Sequence, residues 1–387
     1  MNKAFLLVSM ILSTAVIGGF TRPVEASESI YITAEGSVSP STAEITSIDN
    51  VTYIFTNDNH GSLVVQRDDI VLDGAGYTLQ GRQLWNSRGI ELTGRSNVSI
   101  KNIEITEFFF GIWLNMSTGS RISANNITVN KVGVWLSRSS NNSISGNNIA
   151  SNMNYNIYLE YSRNNRISGN NMTAKGKLWV SPLYYSYFGI YLYRSLSNDI
   201  SENNITNNGC GIELFLSPEN NIPRNNIADN RYGIFLWKSS KNTVLGNDIM
   251  LNDYGIMLTN SSENTICHCN FVNNTEQVHS HNSANAWDDG YPSGGSYWSD
   301  YRGRYPDAEE MNESGMWDAS YVISENNQDS YPLMNPWTPE EESPPRAEEE
   351  ELPPWMQAWL WAIAPWGIAI VAAAAYMLKK RRTASFS

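Results

Sequence analysis

The chain has 387 residues, 17% of them charged, and a formal net charge of −13. Lysine and arginine form no patch or stripe in the body of the sequence, which argues against a nucleic-acid partner. Three cysteines, an odd and small number, are no disulfide framework, so packing must supply the stability.

Residues 1–26 carry Lys3, an apolar run from Ala4 to Gly19 and small residues before Ser27, the pattern of a secretory signal. Residues 27–60 lack a regular repeat and are expected to form an N-terminal cap. Across 61–283 one frame recurs. Its G-I-x-L piece opens at Gly89, Gly111, Gly133, Asn156, Gly189, Gly211, Gly233 and Gly255, at steps of 22, 22, 23, 33, 22, 22 and 22 residues. Two further apolar pieces come after it in each unit, centred for example on Ile122 and Ile127. Each piece is short, β-branched and alternating, and Asn, Ser and Gly stand between the pieces, so each unit reads as three strands and three turns without a helix. Such a unit is one coil of a parallel β-helix, every strand pairing with its copy 22 residues on and coils rising ~4.8 Å each. The fold class is therefore all-β. Asn125, Asn147, Asn170, Asn203, Asn225 and Asn247 share one turn position and are expected to hydrogen-bond up the column.

In G-I-x-L the isoleucine and leucine face inward and x faces outward. Along the rod x is Glu91, Trp113, Trp135, Tyr158, Tyr191, Glu213, Phe235, Met257 and His279. Two residues on, the outward column is Thr93, Asn115, Ser137, Glu160, Tyr193, Phe215, Trp237, Thr259 and His281. An aromatic stripe is thus predicted through Trp113, Trp135, Tyr158, Tyr191, Tyr193, Phe215, Phe235 and Trp237. The fold does not require rings there, and a row of them offers a platform for a polysaccharide or a cell-envelope partner. The alternative is that the rings pair across strands, or are covered by the eleven-residue insertion near Ala174 to Tyr185. Sugar cleavage needs two carboxylates at ~5–5.5 or ~6.5–9.5 Å. The outward candidates, Glu160 and Glu213, are expected two coils and one column apart, roughly 11–12 Å between backbones, both as solvated charges. The residues therefore favour binding over catalysis.

Cys267, His268, Cys269, His279 and His281 fall within fifteen residues, a donor set that suits copper or zinc. They are expected on two different strands, and one four-ligand site would need the chain to leave the coil there. Cys210 is expected to be buried and inert. Residues 284–335 are rich in turns and aromatics and are expected to close the C-terminal end of the rod, with Asp288, Asp289 and Asp300 as oxygen donors for calcium. Residues 336–354 hold seven glutamates among prolines, a self-repelling stalk. Residues 355–378 give 24 uncharged positions, enough to cross a bilayer core of ~30 Å, and Lys379, Lys380, Arg381 and Arg382 in the tail 379–387 place that end in the cytoplasm. The body is then extracellular or periplasmic, tethered by one helix. Ten N-x-S/T sequons fall in it, at Asn50, Asn97, Asn115, Asn126, Asn141, Asn171, Asn204, Asn260, Asn273 and Asn312.

The repeated frame resembles the NosD-like family of right-handed parallel β-helix proteins. So do "DIVLDGAGYTLQG" (69–81) and "GSVSPSTAEI" (36–45) before it, and "WDDGYPSGGSYWSDYRG" (287–303) with "DSYPLMNP" (329–336) after it. The resemblance runs from about residue 29 to 336 and is strongest to a surface-protein branch common in archaea. It implies a right-handed coil. It also implies two alternatives to simple binding: a copper-handling accessory protein working beside an ABC transporter, and a polysaccharide lyase, epimerase or hydrolase. At residues 314–321, "SGMWDASY" replaces the family's usual acidic segment, which puts an ion site there in doubt.

Overall fold

The computed structural model describes residues 29–177 and 187–339. The expected signal, most of the stalk, the apolar 355–378 segment and the basic tail lie outside the described residues. Among those described, no helix is long and apolar enough to cross a membrane.

From Arg88 to Val272 each coil is built from one six-residue and two three-residue strands, as in Phe110–Asn115, Arg121–Ser123 and Asn126–Thr128. Phe110 pairs with Val132, Arg121 with Ser143 and Asn126 with Asn148, all parallel and all one period apart. The described strands stack into three long sheets of twelve, eleven and eleven strands, a parallel β-solenoid. Ile112, Leu114, Ile122 and Ile127 face the axis with no exposed surface, and their copies in other coils do the same. Like residues stack on like, so one continuous apolar core runs along the rod.

The glycine that opens each unit is set by a close approach. A Cβ on Gly111 would lie 2.6 Å from the carbonyl oxygen of Gly133 and 3.0 Å from a methyl of Ile127. Glycine and the following isoleucine therefore both face inward, and the residue before the glycine is turned out.

The turns are held by side-chain ladders, more of them than the sequence suggested. In the expected column, the Nδ2 and backbone N–H of Asn125 both donate to Oδ1 of Asn147 at 3.0 Å, and the pattern climbs coil by coil. A second column joins Asn142, Asn165, Asn198, Asn220, Asn242 and Asn264, and a third runs through Asn208, Asn230, Asn252 and Asn274. A fourth column is serine, in which the Ser139 N–H donates to Oγ of Ser162 and the Ser162 N–H to Oγ of Ser195. Buried backbone N–H groups that no strand can satisfy thus find acceptors one coil away.

The ends are closed by chain that leaves the repeat. Val38–Ser39 folds back antiparallel on Ile30–Ile32, the first strand of its sheet to pair in parallel, with Leu63–Val65. At the other end Phe271, Trp298 and Tyr321 stack face to face, with centroids 4.2 and 4.0 Å apart. Asn327 caps one amide ladder: its Oδ1 accepts the Asn285 N–H and the Trp287 indole N–H, both at 3.0 Å. Buried Asp329 accepts the Ser296 N–H and the Trp298 indole N–H, each at 2.8 Å, and fills the place a Cβ on Gly295 would need. In the departing segment 314–321, Trp317 is buried and stacks on Tyr301 at 5.1 Å, so an aromatic contact occupies that stretch.

Candidate binding face

The third-letter residues form one in-register column. Glu91, Trp113, Trp135, Tyr158, Tyr191, Glu213, Phe235, Met257 and His279 pair successively across the ladder. Thr93, Asn115, Ser137, Glu160, Tyr193, Phe215, Trp237, Thr259 and His281 form the next one. Because the inward glycine shifts the alternation, a third outward column lies beside them: Phe110, Val132, Tyr155, Phe188, Cys210, Tyr232 and Tyr254. From this column the sequence reading took only Cys210, as a buried and inert thiol, and gave the rings no part in the binding face. A glycine follows each member except Tyr155, which Asn156 follows.

The rings make a second apolar cluster, separate from the axial core, centred on Phe188, Tyr191, Cys210, Tyr232 and Phe235. Trp135 stacks on Tyr158 at 5.4 Å with 7° between planes, and Phe215 on Trp237 at 4.4 Å with 24°. Access along the face is uneven. Tyr191 and Phe235 are buried, whereas Trp113, Trp135, Tyr158, Tyr193, Phe215 and Trp237 are half-buried. The guanidinium of Arg88 lies 3.4 Å over the Trp113 ring and pairs with Glu91 at 2.8 Å, so one face of that indole is occupied. The indole N–H groups of Trp113 and Trp135 are buried without a partner among the described residues.

Glu213 corrects the expectation of a solvated charge. Its backbone position is on the outer face, yet the side chain has no exposed surface, and neither carboxylate oxygen has a hydrogen-bond partner among the described residues. Tyr191 and Phe235 flank it in its column. Burial pushes its pKa from 4.5 up to about 8, so the group is neutral at pH 7. The same burial, with Glu213 nearby, raises the Tyr155 phenol to about 12. Glu160 stays at the surface, half-buried, where its Oε2 accepts the Ser137 hydroxyl at 3.5 Å. It stands two coils and one column from Glu213, as expected.

Of the insertion, residues 178–186 lie outside the described residues. The chain leaves them at Lys177, whose Nζ is 3.5 Å from carboxylate oxygens of both Asp229 and Asp253, and re-enters at Tyr187.

The proposed metal donors do not converge. Among the described residues no group of three or more His, Cys, Asp and Glu side chains is placed to hold a metal ion. Cys267 and Cys269 are buried thiols, pushed up to about 11 and 12 by burial. Cys269 occupies the asparagine-ladder position above Asn247 and donates to the Cys267 carbonyl at 3.4 Å. The His268 ring meets the Ser293 carbonyl at 3.1 Å and stacks on Trp337. His279 and His281 are on another sheet, at its outer surface, and His279 Nδ1 sits 2.9 Å from Glu276. The acids considered for calcium accept hydrogen bonds from the C-terminal segment. Asp288 accepts the Gly290 and Ser330 N–H groups, Asp289 the Ser293 hydroxyl, and Asp300 the Tyr321 hydroxyl. Cys210 is buried, and its thiol is held well above the ordinary range by burial.

None of the ten sequon asparagines is buried: Asn115 and Asn126 are half-buried and the other eight exposed. Asn126, Asn171 and Asn204 belong to a further, outer amide ladder in which Asn204 Nδ2 donates to Asn171 Oδ1 at 2.9 Å. A sugar on those amides would interrupt it.

Among solved structures, the chain resembles the Dettilon tailspike protein gp208 (18% identity, 60% of this chain and 55% of that one, TM-score 0.41). It also resembles the periplasmic alginate epimerase AlgG (17% identity, 62% and 68%, TM-score 0.43) and ORF18 of Geobacillus virus E2 (13% identity, 70% and 61%, TM-score 0.48). The chain thus spans between 55% and 68% of the length of these proteins. No curated protein sequence matches it significantly. The profile of one family, described as "Periplasmic copper-binding protein (NosD)", matches residues 44–231 and 214–303, over half of the chain and across the whole run of coils. A chain with this repeat, this solenoid and this match belongs to the NosD family.

Proposed function

We propose that this protein is a non-catalytic binder of cell-envelope polysaccharide, held outside the membrane by its C-terminal apolar segment. The observation that carries the reading is the pair of half-exposed aromatic runs on adjacent columns, Trp113–Trp135–Tyr158 and Tyr193–Phe215–Trp237. They cross from one column to the next along the rod, as an extended ligand lying obliquely over the face would require. Sugar rings pack their C–H faces on such side chains, and a fixed row costs little ordering on binding.

Two features weigh against cleavage. Glu213 is buried and neutral, and Glu160 stands two coils and one column from it, roughly 11–12 Å between backbones by strand spacing, beyond the ~5–5.5 Å of a retaining pair. Copper, which the family's description carries, finds no converging donor set among the described residues, and no step is assigned to it.

The test is affinity electrophoresis of the full chain through gels containing different polysaccharides. Retardation by at least one polymer, lost in the Phe215→Ala/Trp237→Ala variant at unchanged Tm, is expected, with no new reducing ends released. Free migration in every gel, or unchanged retardation of the variant, would overturn the reading.

A further inference from the structure

A groove of ≈ 390 Å³ lies along the corner where the six-residue strands end, lined by Arg138, Ser140, Tyr161, Arg163, Arg194 and Leu196. Arg138, Tyr161 and Arg194 occupy the same turn position in three successive coils, each directly after an outward residue of the second aromatic column. All three adopt positive φ, at 48°, 49° and 49°. Such a position suits glycine or asparagine, as at Gly94, Asn260 and Asn282, although Met116, Leu216 and Lys238 also stand there. Arginine and tyrosine in this column carry a conformational cost that the turn does not demand.

The guanidinium carbons of Arg138 and Arg194 lie 5.8 and 5.7 Å from the Tyr161 ring centroid. Arg194 also sits 5.4 Å from the Tyr193 ring, which joins the groove to the aromatic column. Arg163, two residues after Tyr161, also lines the groove. All three arginines are exposed, and among the described residues none forms an ion pair with a carboxylate. The neighbouring acid, Glu160, bonds to Ser137 and pairs with none of them. In a chain of net charge −13, three cations share one groove without a counter-charge. Tyr161 stands within cation–π reach of two of them, which keeps both guanidinium groups near one ring in the groove.

We infer that this groove is an anion-binding subsite, and that the polysaccharide lying on the aromatic face is an acidic one whose carboxylate or sulfate groups fall on Arg138, Arg163 and Arg194. The inference rests on the polysaccharide-binding reading and adds the charge class. The coil spacing puts Arg138 and Arg194 about 10 Å apart along the rod, enough to engage two charged groups of one chain. Guanidinium–carboxylate and guanidinium–sulfate contacts are charge-assisted, and at an exposed site they weaken as salt shortens the Debye length from ~10 Å at 0.1 M to ~3 Å at 1 M.

The experiment measures binding of the full chain to polygalacturonate, dextran sulfate and neutral dextran at low and high salt. It compares wild type with the Arg138→Gln/Arg163→Gln/Arg194→Gln variant. All three positions are exposed, and Tm controls for folding. The expected result is preference of the wild type for one or both polyanions. The variant should bind them about tenfold or more weaker, with a flatter salt dependence. Comparing the two polyanions tells carboxylate from sulfate. Equal binding of neutral and acidic polymers by wild type, or full polyanion affinity in the variant, overturns the subsite while leaving the aromatic platform standing. Binding of no polymer overturns both readings.

Discussion

Asn156 reaches Asn208 across a break in an asparagine ladder: its Nδ2 donates to Asn208 Oδ1 at 3.5 Å, while its own Oδ1 accepts Nδ2 of Asn152 at 3.0 Å. Both neighbours belong to the column that serves the turn between the third and first sheets. In the coil that carries the insertion the equivalent position is Lys175, which is exposed, so the ladder would be interrupted there. Asn156 stands where the other coils from Gly89 to Gly255 have glycine, and its buried amide takes the missing place.

Asn156→Gly restores the repeat consensus and is nevertheless predicted to destabilise the protein. The change leaves Asn208 Oδ1 without its donor inside the rod and removes an acceptor from Asn152. A buried unsatisfied polar group costs ~1–3 kcal/mol. Chemical denaturation should show a lower midpoint for the variant. A midpoint equal to or above wild type would show that the bridge contributes nothing.

Asn170→Ala should cost more. Asn170 Oδ1 accepts both the backbone N–H and Nδ2 of Asn147, and its own Nδ2 donates to the carbonyls of Ile144 and Ser168 and to Asn203 Oδ1. Several buried groups lose partners at once, and the expected loss is a few kcal/mol, on the order of two such groups. Hydrogen exchange at the Asn147 amide should accelerate by at least about tenfold, the equivalent of ~1.4 kcal/mol. Unchanged protection there would contradict the ladder.

Glu213 gives stability a pH dependence of known sign. Its folded-state pKa, about 8, lies above the ordinary 4.5. Below pH 4.5 the group is protonated in both states. Between there and about 8 the unfolded chain releases a proton that the folded chain keeps, so folding is penalised by up to ~1.4 kcal/mol per pH unit. Above about 8 the penalty is constant. Glu213→Gln should therefore flatten the stability profile between pH 5 and 8 and raise Tm at pH 8. Parallel Tm–pH curves for the two proteins would show that Glu213 is hydrated or paired.

The thiols should be inert in the folded protein. Cys210, Cys267 and Cys269 are all buried, and burial raises each pKa, Cys267 and Cys269 to about 11 and 12. At pH 8 the thiolate fraction is small and sheltered. Titration with a disulfide reagent should find no fast-reacting thiol in the native chain and three after unfolding. Rapid native labelling of Cys267 and Cys269 would restore them as metal donors.

The sequence alone determined the coil. A fixed period and an alternation of isoleucine with polar residues place each residue over its copy, because parallel strands one coil apart satisfy the backbone only in that register. The inward identity of Ile112 and Leu114, the outward identity of Trp113 and Trp135, and the Asn125–Asn147 ladder are consequences of that register. What the period could not decide was which outward side chains meet water. Glu213 and Tyr158 hold equivalent positions, yet one carboxyl is fully buried and the other position's ring is half open. Burial on an outer face depends on neighbouring columns and on segments outside the repeat, which local alternation does not encode. The same holds for Cys267 and His279, close in sequence but set on different sheets, where only the circuit of the chain fixes what can touch what.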